Sequence, residues 1–451
     1  MFIGYIIAIP AVFVEYKGGF NSVETYRYGD QGVFVAYLQL ALSRAGYPVG
    51  EQDGIFGTRT LDAVTDFQRD NGLSPDGVAG RLTWTRLYPY LSGYTVRRAR
   101  RGDTFFRLGE AFHTDPAGIQ TANPAVSPEN IPLGTRLIIP LNFPVVPETV
   151  PYSYALNTIL LDGLAARYPF ITEGLAGRSV MGKRLETATL GTGGRQVFYN
   201  ASHHANEWIT SLVLMKYLEN YAKAYATGGS IFRVEARTLF DSVTLHLLPL
   251  VNPDGVDLVT GALPAEDSYY QQAKALSAYY PDIPFPSGWK ANIAGVDLNL
   301  GYPAGWEQAR EIKFAQGYTR PGPRDYVGSG PLEEPENRGV YRYTRERDFL
   351  LTLSYHTQGE VIYDRYLNFD PPGSGEIAEA FSRASGYAVA DTPYQSGFAG
   401  YKDWFIQTYN RPGYTIEAGL GVNPLPLSEF PSIYRDNEGI LTLGMALSKQ
   451  P

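Results

Sequence analysis

Ser202-His203-His204-Ala205-Asn206-Glu207-Trp208 places two imidazoles a helical turn from a carboxylate, directly after the apolar run Val197-Phe198-Tyr199. By spacing alone, either His203 or His204 can pair with Glu207. Far downstream, Leu350-Leu351-Thr352-Leu353-Ser354-Tyr355-His356 delivers another imidazole at the end of a second apolar run. Two imidazoles and one carboxylate make a hydrolytic type of zinc site, with a fourth position left open. The other histidines are poor rivals. His246 lies inside Thr244-Leu245-His246-Leu247-Leu248 and reads as a core residue, and His113 reads as a surface one. Cysteine is absent, so no thiol serves as ligand or nucleophile and no disulfide frames the chain.

These residues need a scaffold. From residue 152 to 451, strand-like runs (Val197–Asn200, Val243–Val251, Leu350–His356, Tyr414–Ala418) alternate with helical patterns (Glu207–Ala226, Gly375–Ser385, Leu427–Leu447). That alternation predicts one α/β domain with a mixed sheet covered by helices on both faces. Asn142 to Pro151 carries Pro144, Pro147 and Pro151 and reads as a stiff linker over 143–151.

Upstream, Asp53-Gly54-Ile55-Phe56-Gly57-Thr58-Arg59-Thr60 is echoed by Asp76-Gly77-Val78-Ala79-Gly80-Arg81-Leu82-Thr83. Each copy offers an Asp-Gly turn followed by a helical pattern. With an earlier helix through Val33, Tyr37, Leu38, Ala41 and Leu42, they predict a small three-helix domain over 22–91. Together with Leu38-Gln39, Phe67-Gln68, Asn71-Gly72-Leu73 and Thr83-Trp84, the segment resembles the peptidoglycan-binding domain of bacterial wall hydrolases.

Over 92–142 the order is strand, helix, helix, strand. Tyr94-Thr95-Val96 opens it, Gly102-Asp103-Thr104 offers an N-cap, Asn123-Pro124 ends the second helix, and Leu133 to Pro140 closes it. This βααβ segment resembles a LysM domain, a family that binds N-acetylglucosamine-containing glycan. Its run Arg97, Arg98, Arg100, Arg101 reads as a solvated hairpin face, with contact to anionic wall polymers as the sharper alternative.

The formal charge of -8 lacks the basic footprint of a nucleic-acid partner. Residues 1–21 contain an apolar stretch, Phe2 to Val14, too short to span a bilayer. It has the length of a secretory core, but no Lys or Arg precedes Lys17 and Pro10 interrupts it. A packed strand edge and an imperfect export signal both fit.

The large domain resembles the zinc carboxypeptidases of the carboxypeptidase A type. The match is carried, in order, by His204-Ala205-Asn206-Glu207-Trp208, Asn252-Pro253-Asp254-Gly255, Gly295-Val296-Asp297-Leu298-Asn299, Ser354-Tyr355-His356, Tyr394, and Glu417 within Thr415-Ile416-Glu417-Ala418. The resemblance selects His204 over His203. It implies one zinc ion held by His204, Glu207 and His356, Glu417 as general acid/base, and Asp297 orienting the ring of His204. It further implies Tyr394 as a phenol closing over substrate and Asn299 beside the reacting group.

Two positions depart from the family. Leu300 stands where the family places the arginine that grips a C-terminal carboxylate. Lys290, after Trp289, stands where the family has its transition-state arginine. A lysine keeps the charge without the planar fork. Both departures are similar to the γ-D-glutamyl-L-diamino acid endopeptidases, bacterial members that cut peptidoglycan stem peptides. Lys402, in the segment where the family sets specificity, is a candidate partner for a substrate carboxylate, against the plainer reading of a loop lysine. The resemblance implies a zinc peptidase anchored on peptidoglycan, in the cell wall or outside the cell, with a spore or cytoplasmic site as the alternative. The competing readings are a carboxypeptidase with altered carboxylate recognition and an inert wall-binding protein.

Overall fold

The computed structural model describes residues 25–449; the apolar stretch within 1–21 lies outside them. The chain forms two compact units, one of Met1–Pro151 with Ala155–Ile171, the other of Tyr152–Tyr154 with Thr172–Pro451. Ala155–Ile171, assigned by sequence to the large domain, packs with the first unit, where the hydroxyls of Tyr94 and Tyr88 reach Asp162 at 2.8 and 3.3 Å. Segment 143–151 is packed rather than free. Val145, Val146 and Val150 are buried, and Arg44 donates to the carbonyls of Pro144 and Val145.

Three helices open the first unit: α1 (Val33–Arg44), α2 (Thr58–Asp70) and α3 (Arg81–Ser92). The sequence repeat is a structural one. Gln39 Nε2 donates to Asp53 and to the Ile55 carbonyl, while its Oε1 accepts from Gly54 N. Gln68 repeats each bond with Asp76, Val78 and Gly77. Gly54 and Gly77 sit at φ +73 and +71, and a Cβ there would meet the Gly32 carbonyl oxygen or the Leu61 side chain. Only glycine fits such a turn without strain.

The strands β1 (Tyr94–Arg98) and β2 (Arg136–Pro140) pair antiparallel around α4 (Phe105–Phe112) and α5 (Pro116–Ala122). The βααβ order therefore holds. Thr104 caps α4, and Asn123 at the end of α5 exchanges hydrogen bonds with both backbone groups of Ile138. Of the basic run, Arg97 turns inward to Asp103, whereas Arg98, Arg100 and Arg101 stay exposed.

The second unit is built on an eight-stranded mixed sheet. Its strands are β3 (Thr172–Arg178), β4 (Arg184–Leu190), β5 (Arg195–Ala201), β8 (Val243–Leu248), β9 (Phe349–His356), β10 (Val361–Tyr363), β11 (Ala388–Val389) and β12 (Gly413–Glu417); β6 (Ser230–Ile231) and β7 (Val234–Glu235) form a separate small ribbon. The order is β11-β10-β12-β9-β5-β8-β4-β3, with β12, β9, β5 and β8 mutually parallel. Adjacent residues of β5 point to opposite faces. Phe198 stacks on Phe349 and packs with Tyr343 and Tyr401 of helices Pro335–Arg345 and Tyr401–Tyr409. Tyr199 donates to the Leu441 carbonyl of helix Phe430–Ala446. Helices thus cover both faces, which is why every residue of β9 is buried.

Candidate metal centre and cleft

The site lies at the carboxyl ends of the parallel strands. From β5 the chain crosses to β8 on one side and later returns to β9 on the other. Open α/β sheets bind ligands at such a reversal. Leaving β5, Ser202 takes a left-handed conformation (φ 54) and its Oγ lies 2.7 Å from that of Ser211. The chain then winds through a short turn, Ala205–Glu207, into helix Ile209–Thr227. Asn252 caps the helix that begins at Pro253 and donates to the carbonyls of His203 and Ala291. Ala205 N donates to the Lys290 carbonyl. The turn is therefore pinned from two sides.

His204, Glu207 and His356 converge as a buried triad. The Nδ1 atoms of His204 and His356 lie 2.9 Å from Glu207 Oε1 and Oε2 respectively, and 3.1 Å from each other. Two facing ring nitrogens share at most one proton, so this arrangement calls for a cation. Ligand atoms around a tetrahedral zinc stand about 3.3 Å apart, given bonds of roughly 2.0–2.1 Å. The donor set and its spacing fit zinc. Asp297 Oδ1 meets His204 Nε2 at 3.1 Å, and an ionised carboxylate only accepts, so the proton sits on Nε2 and Nδ1 keeps its lone pair. His203 is excluded from the triad. It is fully buried, its Nε2 engages the Tyr302 hydroxyl at 3.0 Å, and its ring stacks on His356. His246 is the core residue expected, bonded to the Tyr343 hydroxyl at 2.9 Å.

Glu417 ends β12 in register with His356 at the end of β9. Burial, then the charge of Glu207, push its carboxyl up to about 8. Burial opposes the charge of Glu207 as well, but His204 and Lys290 outweigh it and hold that carboxyl well below its ordinary range. Lys290 Nζ lies 3.5 Å from Glu207 Oε1; burial works against its charge, yet Glu207 and Asp297 raise its pKa above the usual value.

A cleft of about 220 Å³ joins His204, Lys290, Asp297, Asn299, Leu300, Lys402 and Glu417. Asn299 Oδ1 accepts from Tyr401 N. Leu300 is buried in the apolar cluster beneath. Tyr394 does not line this cleft. It stands 62% exposed on an adjoining depression, edge-on to Phe398. Lys402 lines the cleft but is only 4% exposed, and its Nζ lies 2.6 Å from both Asp403 Oδ1 and the Arg365 carbonyl. Its charge is met inside the protein. The sequence reading missed Lys313, Arg324 and Asp325, which also line the cleft. The breaker cluster Pro321-Gly322-Pro323 just before Arg324-Asp325 was the available signal of a turn that presents side chains.

A centre of two imidazoles and a carboxylate at the carboxyl ends of central parallel strands, with a buried glutamate beside it, defines a metal-dependent hydrolase of the α/β class. Residues 158–438 match the zinc carboxypeptidase family model, which is more than half of the sequence. The chain belongs to the zinc carboxypeptidase family. Zinc is that family's metal, and His204, Glu207 and His356 are a buried group that could hold such an ion. Residues 31–87 match a peptidoglycan binding domain model. Gamma-D-glutamyl-L-diamino acid endopeptidase 1 of Lysinibacillus sphaericus is 42% identical over 298 residues, 66% of this chain and 72% of that one. The uncharacterized protein YqgT of Bacillus subtilis is 39% identical over 278 residues, 61% and 72% of the two chains. Carboxypeptidase A from Helicoverpa armigera shares the fold at a TM-score of 0.51 and 18% identity, covering 67% of this chain and 76% of that one. The protein is a metallopeptidase joined to a peptidoglycan-binding domain, a combination that acts on the bacterial wall. No helix among the described residues is long and apolar enough to cross a membrane.

Proposed function

We propose that this protein is a zinc-dependent endopeptidase that hydrolyses the γ-D-glutamyl–L-diamino acid bond of peptidoglycan stem peptides. The observation that carries the reading is Leu300. The resemblance sets Leu300 where the family grips a C-terminal carboxylate, and this leucine is buried in an apolar cluster, in a peptidase fused to a wall-binding domain. The likeness to the Lysinibacillus endopeptidase supports it. Lys402, already paired with Asp403, lends no support to a carboxypeptidase.

Zinc, when bound, polarises the scissile carbonyl and lowers the pKa of a water towards ~7. Glu417 takes the proton of the attacking water and later hands it to the leaving amine. Lys290 faces the oxygen on which charge develops, as a point charge in a partly dry cleft. Asp297 keeps His204 in the ligating tautomer. Asn299 orients the substrate backbone, and Tyr394, exposed beside the cleft, swings over bound substrate. The βααβ segment acts as a LysM domain, and with the three-helix domain it holds the enzyme on the wall or outside the cell. Tethering raises local concentration without new contacts in the cleft.

Digestion of defined tri- and tetrapeptide stems, read by mass spectrometry, tests the reaction. Cleavage between the D-glutamyl and diamino acid residues is expected. Intact stems alongside C-terminal trimming of ordinary peptides would overturn the reading. Anchoring is tested on purified wall, where removal of residues 22–141 is expected to abolish most retention; equal retention refutes it.

A further inference from the structure

The cleft contains four cationic side chains: Lys290, Lys313, Arg324 and Lys402. Three are committed. Lys290 faces Glu207, Lys313 lies 2.6 Å from Asp325 Oδ1, and Lys402 lies 2.6 Å from Asp403. Arg324 differs. Its Nε is held 2.5 Å from Asp325 Oδ2, while neither Nη atom has a protein partner among the described residues, and the side chain is 41% exposed. One edge of the guanidinium is therefore fixed and the other is presented to the cleft.

That presentation is built into the backbone. The Pro323 carbonyl accepts from both Lys290 N (2.7 Å) and Ala291 N (3.0 Å), and Asp297 N donates to the Tyr326 carbonyl at 2.8 Å. Asp325 is held at φ 62, a left-handed conformation unusual for a residue with a Cβ. The conformation lets its N–H reach Asp297 Oδ2 at 3.3 Å while its carboxylate lies between Lys313 and Arg324. Residues held this way cluster at ligand sites. Arg324 also stands near enough to Lys290 for its charge to oppose that of the ammonium.

A planar fork with two free Nη groups matches a carboxylate in two parallel hydrogen bonds. Resting on the reaction proposed above, the acyl half of the substrate is a γ-linked glutamyl residue. Its α-carboxyl carbon lies about 5 Å from the scissile carbonyl carbon when the intervening carbons are extended. We propose that Arg324, seated by Asp325, is the carboxylate-reading residue of this cleft and selects γ-D-glutamyl residues whose α-carboxylate is free. The cleft thereby recognises an anion on the acyl side of the cut, having given up recognition at Leu300.

The test compares a stem peptide carrying D-glutamate with the same peptide carrying D-isoglutamine, whose α-carboxylate is an amide. Wild type is expected to favour the free acid in kcat/KM by 10-fold or more (on the order of one charge-assisted pair). Arg324→Gln is expected to erase that preference, the loss on the acid exceeding that on the amide by about 10-fold and falling mainly on KM. Arg324→Lys, which keeps the charge but not the fork, is expected to restore part of it. Zinc content and melting temperature should stay at wild-type values. An unchanged acid-to-amide ratio in both variants, or an equal loss on both peptides, overturns the role of Arg324 alone. Cleavage of neither peptide by wild type overturns the proposed reaction and this selection with it.

Discussion

Glu417 is asked to hold a proton in one half of the reaction and release it in the other, and its surroundings suit both tasks. Burial and Glu207 favour the neutral acid, whereas Lys290 and His204 favour the carboxylate. Glu417→Gln keeps the shape and removes the proton exchange. Turnover on stem peptides should fall by roughly 10²- to 10⁴-fold, with zinc content by metal analysis unchanged. Asp297 works at one remove. It accepts from His204, from Asn299 N and from Asp325 N, so its removal frees both the ring and the Asp325 turn. Asp297→Ala should weaken zinc binding by roughly 10- to 100-fold in competition with a chelator. Equal affinity would mean that His204 is oriented by packing alone.

The elements that carry these residues were legible where their pattern was local. The buried runs of β5, β9 and β12 and the long helices behind them stand within a few residues of the expected places. So does the duplicated Asp-Gly turn, whose Gln39 and Gln68 clasps explain why a glutamine precedes each copy. Gln39→Leu leaves Gly54 N without its partner and removes one of the two hydrogen bonds to Asp53 Oδ1. It should destabilise the first unit by about 1–3 kcal/mol, read by urea unfolding of its tryptophan signal; Gln68→Leu should do the same. The outer strands β3, β4, β10 and β11 were not legible, because partly exposed or very short strands carry no continuous apolar run. Neither was the fate of Lys402. A charge sequestered by its own neighbour, Asp403, looks in sequence like any loop lysine. His203 and His204 could not be separated by spacing; the fold separates them, turning His204 to Glu207 and Asp297 while His203 stacks on His356 and bonds to Tyr302.

At the scale of the molecule, buried acids tie segments of the second unit together. Glu336 accepts from Val180 N at 3.0 Å, and Asp254 accepts from Met181 N and faces Lys183 at 3.3 Å. Burial first, and then the nearby carboxylates Asp254 and Glu334, push Glu336 up to about 8 from its ordinary 4.5. The folded chain therefore holds this proton more tightly than the unfolded one. Its contribution to stability is complete below the unfolded value and is lost as pH climbs towards the folded one, by an amount on the order of a few kcal/mol. Glu336→Gln, which mimics the protonated form, should melt at nearly the same temperature as wild type near pH 5. Near pH 8 it should melt higher, by differential scanning calorimetry. A variant that tracks wild type at both values would place the proton elsewhere.

His204, Glu207, His356 and Glu417 come from segments far apart in the chain, with Glu417 supplied by β12, the last strand among the described residues. A polypeptide clipped ahead of that strand carries His204, Glu207 and His356 but lacks Glu417, so on the proposed reaction it has the metal triad without the base.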